Sequence, residues 1–106
     1  MFNESKALKR LFRKLTIENL WLYIIFLLKR GPMYGYQIKL SLSEVFNIRP
    51  ATVTVYAVLY KMVREGLIEK SNINGKTMYK VTNRGLENFQ RGLRFIEDVL
   101  EKLKGP

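Results

Sequence analysis

The side chains of this 106-residue chain that could do chemistry are cations, hydroxyls and amides, because it has neither histidine nor cysteine. Imidazole bases, thiol nucleophiles, disulfides and zinc fingers are thereby excluded. A metal site would have to be built from oxygen donors, and the nine carboxylates form no acidic cluster. No catalytic residue, metal or cofactor is expected, and the chain does not read as an enzyme. What stands out is the excess of base: 19 lysines and arginines give a formal net charge of +10 and a pI near 10. That balance points to an anionic partner, either nucleic acid or an anionic membrane surface.

The charge is unevenly placed. Residues 86–106 hold four basic groups (Arg91, Arg94, Lys102, Lys104) and four acidic ones (Glu87, Glu97, Asp98, Glu101). Residues 1–85 hold the other 15 basic and five acidic groups, and so the entire excess. Within this basic body one helix, about residues 50–65, offers groups suited to reading DNA. Its apolar stripe is Val55, Leu59, Met62 and Val63, and Gly66 ends it. The opposite face carries Val53, Thr54, Ala57, Tyr60, Lys61 and Arg64. Slim hydroxyl and methyl groups near the start suit base edges, and longer donors follow toward the phosphates. Arg49 and Thr52 flank the N-terminus, where backbone N–H groups also attract phosphate.

The elements that position these groups are legible from periodicity. Residues 4–14 read as a basic amphipathic helix, with Leu8, Leu11, Phe12 and Leu15 on one face. Thr16 is expected to cap a second helix over about 17–30, with Glu18 in its first turn and Gly31-Pro32 stopping it. Its apolar run, Leu20 to Leu28, would rise about 13.5 Å against a bilayer core of about 30 Å, so it reads as a buried helix. With no signal-peptide pattern, the expected location is the cytoplasm. A third helix, about 34–46, puts Ile38, Leu42, Val45 and Phe46 on one face. Pro50 is expected in the first turn of the fourth helix, and it holds Arg49 extended.

The period then changes to two. Leu67–Ser71 and Thr77–Val81 read as strands joined through Asn74-Gly75, the strongest short hairpin signal. That turn sets Ile68 opposite Val81 and Glu69 opposite Lys80, an apolar pair and an opposite-charge pair. The hairpin carries Lys70, Lys76 and Lys80, with Lys76 placed best to reach a phosphate. Thr82 caps a last helix over about 83–103, whose Leu86, Phe89, Leu93, Ile96, Leu100 and Leu103 repeat at heptad spacing. Such a stripe suits a second copy of the chain, and the neutral charge of this segment permits two copies to approach. Trp21 is expected to pack beneath this helix at the interface; a ligand pocket is the alternative use of the aromatic cluster around it.

The predicted fold class is therefore mainly α with a small β-hairpin (α+β): a winged helix-turn-helix with N-terminal and C-terminal flanking helices. Residues 1–15 form the basic N-terminal helix, 16–82 the DNA-binding domain, and 83–106 the dimerisation helix. The wing spans about 67–81.

Leu27-Leu-Lys-Arg-Gly-Pro-Met-Tyr-Gly-Tyr-Gln-Ile38 resembles the signature of PadR-like transcriptional regulators: Leu-Leu, two variable residues, Gly-Pro-Met-His-Gly-Tyr and a following Ile. Thr54-Val-Tyr56, Leu59, Met62 and Gly66-Leu-Ile68 are similar to the family's Thr-Leu-Tyr, Leu, Leu, Gly-Leu-Ile. Gly75-Lys76, Tyr79, Val81-Thr82 and Gly85 are similar to its wing and the start of its last helix. The resemblance covers roughly residues 20–86. It implies a homodimeric repressor that binds a near-palindromic operator, with Tyr36 and Tyr56 helping to dock the DNA backbone. It also implies that the N-terminal helix can join the dimer interface. Two positions depart from the pattern: Tyr34 replaces the usual His, and Ala57 replaces a common Pro. Some family members respond to phenolic or aromatic compounds, but the single short C-terminal helix gives no support for an effector here.

Double-stranded DNA and a second copy of the chain are thus the expected partners. Two other readings compete. One is an architectural DNA-binding protein of low sequence preference. The other is a membrane-surface protein docking through residues 2–15, where Phe2, Leu8, Leu11 and Phe12 oppose five cations.

Overall fold

The computed structural model describes residues 3–106, so Phe2 of the N-terminal apolar stripe lies outside the described residues. Helix α1 spans Lys6–Leu15 and is capped by the Ser5 side chain, which accepts from Leu8 N–H at 3.0 Å. The second helix differs from the expectation at its start. Thr16 does not cap it; its hydroxyl donates back to the Phe12 carbonyl and closes α1 instead. A 3₁₀ turn, Ile17–Asn19, follows, and helix α2 runs Leu20–Leu28. Glu18 is held by Lys14 at 2.6 Å, across the junction.

Strand β1, Met33–Tyr34, was not legible in the sequence. Helix α3 spans Gly35–Phe46, and helix α4 spans Thr52–Arg64. Between them Asn47 adopts a left-handed conformation, φ 58°, and Ile48 N–H donates to the Leu42 carbonyl, which turns the chain. Pro50 lies before the helix rather than in its first turn: Ala51 occupies the N-cap, without a side-chain hydrogen bond. Ile38 and Leu42 of α3 are buried, but Val45 faces solvent.

Strands β2 (Ile68–Ile73) and β3 (Lys76–Val81) form the hairpin. Asn74 and Gly75 both have positive φ, 53° and 81°, which matches a tight two-residue turn. Ile68 pairs with Val81 and Glu69 with Lys80, the register expected from the turn position. The sheet order is β1-β3-β2, all antiparallel, so β1 makes the wing a three-stranded sheet. Helix α5, Asn83–Lys104, is capped by Thr82, whose hydroxyl accepts from Gly85 N–H at 3.0 Å.

The core is built around α2. Leu20, Ile24, Ile25, Leu27 and Leu28 are buried against Ile38 and Leu42 of α3, Val55, Leu59 and Met62 of α4, Ile68, Tyr79 and Phe89. No polar or charged residue is buried among the described residues. The aromatic edge of this core is ordered by Phe46, whose ring meets Tyr23 and Phe26 edge-on at 4.9 and 5.4 Å. No helix among the described residues is long and apolar enough to cross a membrane.

The start of α5 sits directly on the polypeptide backbone at Leu67. A Cβ built on Gly85 would collide with the Leu67 carbonyl oxygen and crowd Val81 Cγ2 at 3.0 Å. The obstacle is backbone and cannot rotate away. Gly85→Ala should therefore lower unfolding stability by about 3 kcal/mol, the upper end of overpacking costs. A urea melt with an unchanged midpoint would contradict this packing.

Candidate nucleic-acid interface

Helix α4 presents two unlike faces. Val55, Leu59 and Met62 are buried, while Thr52, Val53, Ala57, Tyr60, Lys61 and Arg64 lie on the solvent side. Val53 is 76% exposed and Tyr60 60%, so two apolar or aromatic groups face water with no internal partner. The Arg64 guanidinium lies 5.8 Å from the centre of the Tyr60 ring, within cation–π range. The contact joins two residues one helical turn apart. Thr54 is half-buried, turned partly toward the body, and Arg49 is exposed in the connection before α4.

A second group assembles where α3, α4 and the wing meet. Tyr34, Tyr36, Tyr56, Tyr79 and Lys76 line one depression, with Gln37 and Thr77 on its edge. Gly35 permits this arrangement. A Cβ there would lie 2.6–2.9 Å from the Tyr56 ring and hydroxyl, so the phenol rests on the bare backbone at the start of α3. Gln37 Oε1 accepts from Tyr34 N–H at 2.8 Å and fixes the same turn. Tyr36 is 62% exposed at the rim. Lys76, the first residue of β3, holds its ammonium 5.5 Å from the centre of the Tyr34 ring. Sequence reasoning treated Tyr34 only as a departure from a motif. The contact depends on the strand pair Tyr34–Met78, which brings Tyr34 beside the wing and has no signal in the sequence.

The residues of the heptad stripe separate into two sets. Phe89 is buried in its own chain's core with the Lys29 ammonium 5.2 Å from its ring centre, and Leu86 packs beside it. Trp21 is half-buried, its ring against α5 at Gly92, where a Cβ would come within 3.3 Å. Its indole N–H points to Asn19 Oδ1 at 3.4 Å. Leu93, Ile96, Leu100 and Leu103 are exposed, as are Phe95 and Val99, which the heptad count omitted.

Together these features define a winged helix-turn-helix: α3 and α4 form the bihelical unit, α4 shows a polar face, and the β2–β3 hairpin stands beside it. The family model for the transcriptional regulator PadR-like family matches residues 24–91. The chain belongs to the PadR-like family of DNA-binding transcriptional regulators. Solved structures agree. A transcriptional regulator from Clostridium thermocellum superposes with a TM-score of 0.74 at 19% identity, over 80% of this chain and 89% of that one. RosR of H. salinarum gives 0.66 at 26% identity, over 83% and 78%. Bacillus subtilis PadR, solved in complex with operator DNA, gives 0.64 at 28% identity, over 70% of this chain and 46% of that one. The family and the Clostridium thermocellum neighbour are described as transcriptional regulators. No curated protein matches the chain by sequence.

Burial raises the pKa of the Tyr79 phenol above its ordinary value of 10.0, and Tyr56 adds to the effect. Burial also raises that of Tyr23, whose hydroxyl donates to the Leu15 carbonyl. Both phenols keep their protons to higher pH in the folded chain than in the unfolded one. Their contribution to stability is complete below pH about 10 and is lost as pH rises through the raised values. The urea midpoint should fall as pH rises above about 10, and the double change Tyr23→Phe and Tyr79→Phe should flatten that fall. An equally steep decline in the variant would assign the pH sensitivity elsewhere.

Proposed function

We propose that the chain is a sequence-specific repressor that binds double-stranded DNA as a homodimer on a near-palindromic operator. The observation that carries the reading is the solvent face of α4, where Val53, Ala57, Tyr60, Lys61 and Arg64 stand uncovered beside the wing. The face is slim toward its start and cationic toward its end. A helix enters the major groove, about 12 Å wide, by its narrow end, and long donors then reach bases or phosphates. Arg64, already stacked on Tyr60, loses less freedom on contact than an unrestrained arginine. Thr52 and Arg49 lie where backbone N–H groups at the start of α4 favour phosphate. Lys76 over Tyr34 gives the wing a positioned cation, and Tyr36 and Tyr56 border the same depression.

Support for the dimer comes from α5. Leu93, Ile96, Leu100 and Leu103 form a stripe that the other described residues leave partly exposed, and Val99 widens it. Leu86, Phe89 and Trp21 anchor the root of this helix in its own domain. A two-fold axis through α5 would set two α4 helices toward half-sites about 34–36 Å apart.

Arg64→Ala or Lys61→Ala should weaken operator binding by about 1–3 kcal/mol if the residue reads a base. Fragments selected from genomic DNA supply the operator, and gel shifts against random DNA supply the specificity ratio. A ratio near one would instead identify an architectural protein of low sequence preference. Affinity should fall about 10³–10⁵-fold between 50 and 200 mM salt if the dimer makes about 6–10 phosphate contacts.

The combined change Leu93→Glu and Leu100→Glu should give monomers by light scattering. A double variant that stays dimeric would place the interface elsewhere.

A further inference from the structure

Half of the ten residues of α1 are cations: Lys6, Lys9, Arg10, Arg13 and Lys14. At about 100° per residue they fill an arc of about 140°, centred opposite the stripe of Leu8, Leu11, Phe12 and Leu15. The helix contains no acid, and none of its residues is buried. Only Lys14 has an ion-pair partner among the described residues, Glu18.

This arrangement works against the helix that carries it. Lys6–Arg10, Lys9–Arg13 and Arg10–Lys14 are like-charged pairs four residues apart, which destabilise a helix. Lys6 also opposes the helix dipole in the first turn. Solubility alone does not require such a face, because the exposed helix α5 mixes five bases with four acids. An external anion would relieve the repulsion.

The basic face also has a location. Its five cations line a furrow with Glu18. Glu18 in turn lines the cleft that reaches Lys61 and Glu65 at the end of α4. Its carboxyl is held below the usual carboxylate range, first by the hydrogen bond from Lys14; the charges of Lys14, Arg13 and Arg10 act in the same direction. Glu18 thus borders both the basic face of α1 and the cleft at the end of α4, and α1 packs on the 3₁₀ turn that carries it.

We propose that the basic face of α1 is a second, sequence-independent contact to the phosphate backbone of duplex DNA, beside the segment read by α4. The proposal rests on the reading of α4 and the wing as a DNA-binding surface. Ten helical residues rise about 15 Å, and a DNA strand presents one phosphate per about 3.4 Å of axis, so two or three ion pairs per chain fit. Contact through this face leaves the apolar stripe of α1 free to meet protein.

The test uses the full chain and the triple change Lys9→Gln, Arg10→Gln and Arg13→Gln. These side chains are exposed and make no ion pair among the described residues, and their loss relieves like-charge repulsion, so helix content and melting temperature should not fall below the parent's. Binding to a random-sequence duplex of about 40 base pairs is followed by fluorescence anisotropy from 50 to 200 mM KCl. The slope of log affinity against log salt should shrink by about 2–3 per chain. The same three changes, added to a variant already carrying Lys61→Ala, Arg64→Ala and Lys76→Ala, should remove a similar amount.

A parent that binds no duplex DNA would overturn the reading of α4 and this proposal with it. A parent that binds, with an unchanged slope in the triple variant, would overturn this proposal alone. Co-sedimentation with phosphatidylserine vesicles that is lost in the triple variant, while the DNA slope stays the same, would also overturn it and assign the face to an anionic lipid surface.

Discussion

Helix α2 carries no charged side chain from Leu20 to Leu28, and five of its nine residues must be kept from water almost completely. Burial of such side chains is the main favourable term in folding, about 1.5–3 kcal/mol for each large aliphatic group. The remaining elements of the domain are arranged to supply that cover. Helices α3, α4 and α5 and strand β3 each lay an apolar edge against α2. Each therefore turns its other side outward. The polar face of α4 is exposed because its Val55–Leu59–Met62 stripe is committed to α2. With no polar or charged residue buried among the described residues, the basic excess is displayed on whatever surfaces this packing leaves open.

The end of α4 shows how this helix is tied to the rest. Its last carbonyls have no partners within the helix, as at every helix end. The N–H groups of Glu65, Leu67 and Gly66 take those of Lys61, Met62 and Val63. The start of α5 binds the turn that follows: Arg84 Nε donates to the Glu65 carbonyl at 2.9 Å, and the Thr82 hydroxyl lies 2.6 and 3.0 Å from the carbonyls of Gly66 and Leu67. Thr82 N–H adds a bond to the Leu67 carbonyl at 3.1 Å. The end of α4, the base of the wing and the root of α5 are thereby one unit. If two chains join through α5, the geometry between their α4 helices is set by this junction and not by a flexible linker. The long axis of the chain, 52 Å against 30 and 21 Å, reflects how far the flanking helices extend beyond the packed body.

Much of the fold was legible because its signals are local. Asn74-Gly75 fixed the hairpin register through backbone conformations that few other dipeptides adopt. Thr82 announced the start of α5, since a hydroxyl three residues before an unbonded N–H is the usual way to satisfy it. Other elements were less accessible. Two residues of β1 are too few to show any periodicity, and their pairing with β3 depends on a partner more than forty positions away. Thr16 carries the same capping chemistry as Thr82, yet its hydroxyl closes the preceding helix instead. A cap is a competition between neighbouring backbone groups, and residue type alone does not decide it. Pro50 was read into the helix it precedes, because its fixed φ suits both places.

The sequence by itself determined what chemistry is absent, where the excess charge lies, the hairpin and its register, and which face of each helix is apolar. These follow from residue types and from periods of two and 3.6, which need no knowledge of distant parts of the chain. Tertiary structure decided which apolar surface the chain uses itself. The stripe from Leu86 to Leu103 is unbroken in the sequence, but Phe89 enters the core while Leu93, Ile96, Leu100 and Leu103 stay outside it. The division falls where α5 passes Trp21 at Gly92 and runs beyond the surface that α2 offers. It likewise brought Tyr34 to Lys76, and set Glu18 between the cations of α1 and the cleft at the end of α4. Such meetings depend on how long each element is and where its neighbours stop, which no short stretch of sequence records.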